Sequence, residues 1–154
     1  MESSIRVCTM ADLPFVKRVL LHADVLPYTM YDGRPGYPIE GLLRQGPPVY
    51  VMLDNTNSFC VIFIPETNAT WIAHTNALPC IRGNTYDIAR MMTRWMFDNT
   101  TCCNIMGYTP SKNKRAIGFN QKIGHKLYGI VKNGITKYGE LDDLHLYGIE
   151  KGEW

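Results

Sequence analysis

The sequence predicts a mixed α/β domain: a central sheet of six to seven strands, parallel and antiparallel pairs together, flanked by helices. Three observations carry this. Apolar stretches at residues 49–53, 59–64 and 69–74 follow one another as a strand meander. Ile88, Met92, Trp95 and Met96 then fall at i, i+4, i+7 and i+8, the spacing of one helix face. Residues 104–149 read as strand, short amphipathic helix, then two closing strands. A doubly wound parallel fold would alternate strand and helix more regularly.

Each element has its own signal. Residues 5–9 alternate apolar and polar side chains, as a half-buried strand does. Thr9 and Asp12 form a capping box that opens a helix with Pro14 in its first turn and a stripe of Leu13, Val16, Leu20 and Ala23. Residues 25–48 are the least regular part of the chain. Their prolines (27, 35, 38, 47, 48) and glycines (33, 36, 41, 46) predict loop with at most short helices. A loop of that length in a compact domain is functional or mobile. Residues 54–58 join two strands as a five-residue hairpin loop, and the strand at 69–74 pairs antiparallel to the second. Asn84 or Thr85 opens a helix that runs to about Asn99, and a strand follows at 104–108. Ser111 caps the next helix, whose Ala116, Phe119 and Ile123 share a face and whose end is marked by Gly124. Strands at 128–131 and 144–149 close the chain, joined by a turn rich in Gly134, Gly139 and Asp142.

The bulk composition excludes several classes. The 154 residues fit one domain, 1–154, with 45% hydrophobic and 19% charged side chains and no low-complexity tract. Sixteen basic against 14 acidic residues leave a net charge of +2, too balanced for a nucleic-acid-binding protein. The basic residues that cluster, Lys112, Lys114, Arg115, Lys122 and Lys126, do so locally. No apolar run approaches the roughly 20 residues that span a bilayer. The N-terminal Met-Glu-Ser-Ser-Ile-Arg lacks a signal-peptide layout, so the expected location is cytoplasmic and no membrane partner is expected. The five cysteines form no Cys-x-x-Cys pair, which argues for reduced, mostly buried thiols and no metal site. There is no Gly-x-Ser-x-Gly elbow and no P-loop.

The run from Asn113 to Gly124, Asn-x-Arg-Ala-x-x-Phe-x-x-x-x-Gly after a strand and before another, resembles the C-terminal half of the GNAT acetyltransferases. The order of elements is similar to that family over essentially the whole chain. The resemblance implies acetyl-CoA as cosubstrate and transfer of its acetyl group to an amine of a small molecule or protein. It implies cofactor contacts from the strand at Ile72 and Ala73 and from the loop Arg82, Gly83, Asn84 and Thr85. There, backbone amides and the helix dipole favour a pyrophosphate. In the second helix it implies Asn113 on the pantetheine arm, Ala116 and Phe119 beneath it, and Arg115 and Lys122 toward the phosphates.

Three positions depart from the family pattern. Thr85 and Asp87 replace glycine or alanine in the loop, and Asp87 would repel a pyrophosphate. Asn120 stands where many members carry a tyrosine acid, which leaves Tyr128 and Tyr147 as substitutes. His74, with an unperturbed pKa near 6.5, is the first candidate base and Glu66 the second. Tyr28, Tyr31, Asp32, Tyr37, Tyr50, Asp142 and Asp143 are expected to rim the acceptor side, suiting a cationic amine or a protein partner. Residues 129–148 look similar to small acetyltransferase-like proteins of tailed bacteriophages. That likeness implies the alternative of a catalytically inactive binding or assembly module, with a second copy or a phage protein as partner.

Overall fold

A computed structural model describes residues 4–154; the first three residues of the N-terminal stretch set against a signal peptide lie outside the described residues. In chain order the elements are β1 (Ile5–Val7), a 3-10 turn (Met10–Asp12), α1 (Leu13–Leu20), α2 (Leu26–Thr29), α3 (Ile39–Gln45), β2 (Tyr50–Asp54), β3 (Phe59–Pro65) and β4 (Thr70–Ala77). After a second 3-10 turn (Pro79–Ile81) come α4 (Tyr86–Asn99), β5 (Asn104–Pro110), α5 (Lys114–Lys122), β6 (Lys126–Lys137) and β7 (Glu140–Glu150). The strands form one seven-stranded sheet in the order β1-β2-β3-β4-β5-β7-β6. All neighbours are antiparallel except β4 and β5, which α4 connects as parallel strands. No helix among the described residues is long and apolar enough to cross a membrane.

Strand alternation divides the core in two. On one face Val51, Leu53, Cys60 and Ile62 pack against Val16, Val19 and Leu20 of α1 and Leu42 and Leu43 of α3. On the other, Met52, Phe59, Val61 and Phe63 pack against Ala89, Met92, Met96 and Phe97 of α4. β3 is therefore apolar at successive positions because both its faces are covered. Each such side chain contributes about 1.5–3 kcal/mol by leaving water.

Several boundaries differ from the expectation, each for a local reason. α5 is capped by Asn113, whose Oδ1 accepts the Ala116 amide at 3.2 Å. Ser111 lies outside the helix and donates its hydroxyl to the Asp142 carboxylate. The α1 stripe is Val16, Val19 and Leu20; Ala23 falls beyond the helix end and is exposed. β6 and β7 are far longer than the expected 128–131 and 144–149. Their extensions are largely exposed and polar, so no apolar alternation marks them, and register shifts after Leu127 and Val131 blur it further. The true turn is Tyr138-Gly139, with φ of 53° and 75°, the two left-handed residues of a tight hairpin. Gly134, expected in that turn, lies within β6. The five cysteines are free, and Cys80 and Cys103 are exposed rather than buried.

The feature that makes a site is the short reach of the parallel pairing. β4 and β5 are in register only over Thr70–Asn104, Trp71–Ile105 and Ile72–Met106. Beyond Ile72 and Met106 both strands continue, to Ala77 and Pro110, without pairing to each other. The sheet parts there, and backbone groups on two facing strand edges are left to other partners.

Candidate active site

Two clefts open where the strands part. One, of about 260 Å³, lies on the side of α4 and α5; Ala73, Arg82, Gly83, Thr85, Asn113 and Phe119 are among the residues that line it. The other, of about 640 Å³, lies between the α2 region and the β6–β7 hairpin. Tyr28, Tyr37, His74, Tyr108, Pro110 and Asn113 line both, so the clefts meet through the gap in the sheet.

The smaller cleft is built from two helix starts. α4 is a 14-residue helix whose N-cap, Thr85, makes no side-chain capping bond, so its first-turn amides are not covered by a side chain. Those amides and the positive end of the helix dipole make that end of the cleft receptive to an anion. Gly83 enters with φ of 91°, a backbone conformation that β-carbon-bearing residues rarely adopt. Arg82 is fixed by an Nη2 bond to the Asp24 carbonyl at 2.8 Å. Asp87, in the first turn of α4, is exposed and does not line the cleft. From α5 come Arg115, Ala116, Phe119 and Asn120. Phe119 stacks on Tyr86 with ring centroids 5.7 Å apart, and Lys122 sits 4.9 Å above the other ring of that pair, Tyr86. Tyr86, unremarked in the sequence, thus joins both helices at the cleft wall.

The larger cleft is roofed by an interlock. The Asp32 carboxylate accepts the amides of Tyr138 and Gly139, both at 2.9 Å, and the Asp32 amide donates to the Thr136 carbonyl at 3.0 Å. Lys137 donates to the Pro27 carbonyl. The hairpin tip is thereby fastened to the irregular 25–48 segment. Asp142 accepts the Ser111 hydroxyl and the Lys112 amide, and these bonds hold its carboxyl below the usual range.

His74 stands at the junction. Tyr37 meets it edge-on with centroids 5.1 Å apart, and the Arg34 guanidinium covers Tyr37 at 4.9 Å and Tyr31 at 4.6 Å. Burial, and then the Arg34 charge, lower the His74 pKa to about 4. Burial likewise raises Tyr37 to about 12, with Arg34 pulling the other way. At neutral pH both groups are uncharged. The His74 ring is free to accept a proton, but a pKa near 4, well below the 6.5 expected of a free imidazole, makes it a weak base in the free protein.

The sequence-derived residues are thus distributed unevenly. Ala73, Arg82, Gly83, Thr85, Asn113, Arg115, Ala116 and Phe119 line the smaller cleft with His74. Ile72 is buried in the last paired register, and Asn84 and Lys122 lie outside the lining. Glu66 is exposed in the β3–β4 turn and borders neither cleft. Tyr128 covers Gly148, and its hydroxyl accepts the Asn104 amide group at 3.0 Å, at the closed end of the parallel pair. Tyr147 is buried opposite Gly107 and borders neither cleft. Of the expected rim, Tyr28, Tyr31, Asp32, Tyr37 and Asp142 line the larger cleft. Tyr50 packs on Trp95 with centroids 5.4 Å apart, and Asp143 bonds Lys132 instead. Asn120 donates to the Thr109 hydroxyl at 3.0 Å.

No protein-family model and no curated protein sequence matches the chain. Solved structures do. The spermidine N-acetyltransferase of Vibrio cholerae, in complex with CoA and spermine, superposes with a TM-score of 0.75 at 13% identity, over 97% of this chain and 95% of that one. A GNAT-family acetyltransferase from Bacillus anthracis gives 0.75 at 18% identity, over 97% and 95%. One from Streptococcus pneumoniae gives 0.76 at 14%, over 95% and 98%. At these identities the likeness establishes the fold, which is that of the GNAT acetyltransferases.

Proposed function

We propose that the protein is an acetyl-CoA-dependent N-acetyltransferase acting on an amine of a small molecule or protein. The observation that carries this reading is the gap between β4 and β5, where two clefts share His74 in their lining. The neighbours' bound CoA and spermine support it.

The residues of the smaller cleft fit the cofactor. Uncapped amides at the start of α4, with Arg82 and Arg115, would take its phosphates; Asn113, Ala116 and Phe119 would flank the pantetheine arm. The unpaired edges beyond Ile72 and Met106 offer that arm's amides the hydrogen bonds the strands do not give each other. Acetyl-CoA, when bound, supplies the acetyl group: the amine nitrogen forms a C–N bond to the acetyl carbonyl carbon, the C–S bond breaks, and the thiolate leaves and takes up a proton.

The chain's own part is positioning and proton movement. His74, neutral and in the wall shared by both clefts, takes the ammonium proton directly or through water. Tyr108 lines both clefts and, half exposed, offers a hydroxyl that would protonate the leaving thiolate. Asn120 is engaged with Thr109 and has no proton to give. Tyr37 packs on His74, and burial, with the Arg34 charge beyond, keeps it uncharged.

Isothermal titration with CoA and acetyl-CoA tests the reading. Micromolar binding is expected, weakened at least ten-fold by Arg82→Ala. No heat at millimolar ligand would sink it.

A further inference from the structure

We propose that the acceptor is an amine that also carries a carboxylate, held by Arg34 in the larger cleft; this rests on the acetyltransferase reading above. The argument starts from which charges in that cleft are already satisfied. Three carboxylates line it, and each is engaged: Asp32 by two backbone amides, Asp142 by Ser111 and Lys112, and Glu140 by the Lys112 ammonium at 3.2 Å. A polycation would share these carboxylate oxygens with bonds already made, and the Asp32 bonds hold the hairpin tip itself.

Two of the three cations that line the cleft are in the opposite state; the third, Lys112, is the one paired with Glu140. Arg34 and Lys137 also line the cleft, both are half-buried, and neither has a carboxylate partner among the described residues. A guanidinium has five N–H donors. Arg34 donates from Nη2 to the Thr29 carbonyl at 3.3 Å, and its Nε is buried with no hydrogen-bond partner. Its Cζ lies 4.6 Å from the Tyr31 ring centroid and 4.9 Å from that of Tyr37, so two aromatic rings hold it in place. A half-buried cation held in place without a counter-ion is costly, and the planar fork matches a carboxylate in two parallel bonds.

The position suits the chemistry. Tyr37 lies between Arg34 and His74, in contact with both. A carboxylate on Arg34 therefore sets the rest of the molecule one aromatic ring from the proposed base. It also offsets the positive charge that helps to depress the His74 pKa, so the correct acceptor makes His74 a stronger base. The reaction is otherwise the one already written: the amine nitrogen gains the acetyl group, CoA leaves as the thiol, and one proton is released.

The test compares two matched series with acetyl-CoA: glycine, β-alanine, 4-aminobutyrate and 6-aminohexanoate against the alkylamines lacking the carboxylate, with spermidine as a polycation. CoA thiol release gives kcat/KM, and mass spectrometry identifies the product. The best amino acid is expected to exceed its alkylamine by ten-fold or more, as for loss of a charged hydrogen-bonded pair. Arg34→Gln should bring the ratio between each amino acid and its matched alkylamine down to about one, whatever it does to the alkylamine rate through His74; a merely structural role would lower both series together and leave that ratio unchanged. Arg34→Lys, folded by circular dichroism, should retain part of the preference. In the native protein, acetate should also raise the His74 pKa read by NMR, and in Arg34→Gln it should not. Equal or better turnover of alkylamines or spermidine overturns the proposal. So does acetyl-CoA binding without turnover of either series. Absence of acetyl-CoA binding overturns the acetyltransferase reading itself.

Discussion

His125, between α5 and β6, is 9% exposed, and neither ring nitrogen has a hydrogen-bond partner. Burial alone lowers its pKa from 6.5 to about 4. Between those values the unfolded chain binds a proton that the folded chain does not, so stability is full above pH 6.5 and falls as the pH drops toward 4. Integrating that difference from pH 7.5 to 4.5 gives a loss of about 2.5 kcal/mol from this residue. His125→Phe keeps an aromatic ring of similar size and removes both the unpaired nitrogens and the titration. Urea unfolding of both proteins at pH 7.5, 6.5, 5.5 and 4.5 is the assay. With a slope of about 2 kcal/mol per molar urea, the wild-type midpoint should fall by about 1.2 M more than that of the variant. His74 shifts in the same direction but is common to both proteins, so it cancels. Parallel pH profiles, or an NMR midpoint for His125 above pH 6, would refute the reasoning.

Other residues make separate predictions. A β-carbon at Gly148 would meet Tyr128 Cε2 at 2.3 Å and the Ile105 carbonyl oxygen at 3.0 Å. Gly148→Ala should therefore cost about 1–3 kcal/mol, with part recovered when Tyr128 is also cut to Ala, read from urea midpoints. Asp54 is fully buried, and although burial pushes its carboxyl up, the Thr56 hydroxyl and the amides of Phe59, Ser58 and Thr56 bring it below normal. Its stabilisation is present above the unfolded pKa near 3.9 and lost as the pH falls through the folded value. Asp54→Ala should lose about 3 kcal/mol or more at pH 7 and show a flatter acid limb, because it leaves the Ser58 and Phe59 amides unpaired. If His74 is the base, log kcat/KM should show no bend at 6.5 and a new one only near pH 4, whereas His74→Gln should lower kcat about 100-fold.

The periodic parts of the fold were legible because burial leaves a sequence trace. Met92 and Met96 of α4 and the apolar runs of β2 and β3 face covered surfaces, and their spacing says so. β6 is the opposite case: an edge strand with much exposed surface has no need to alternate, and most of its 12 residues escaped notice. The capping of α5 by Asn113 rather than Ser111 turned on a competing partner, the Asp142 carboxylate, 31 residues from Ser111. The site divided in the same way. Arg82, Asn113 and Phe119, which the resemblance to the family implied, border one cleft. Tyr128 and Tyr147 could only be guessed, since which strand face meets a cleft depends on pairing register.

By itself, then, the sequence determined the order of the elements, the two apolar faces of the sheet and the run from Asn113 to Gly124, all consequences of short-range spacing. Only the tertiary structure decided where β4 and β5 separate, that His74 lies at the junction, and that Arg34 there lacks a carboxylate partner among the described residues. Each depends on groups distant in sequence, and the physical reason is that desolvation and charge pairing are properties of the surroundings a folded chain creates.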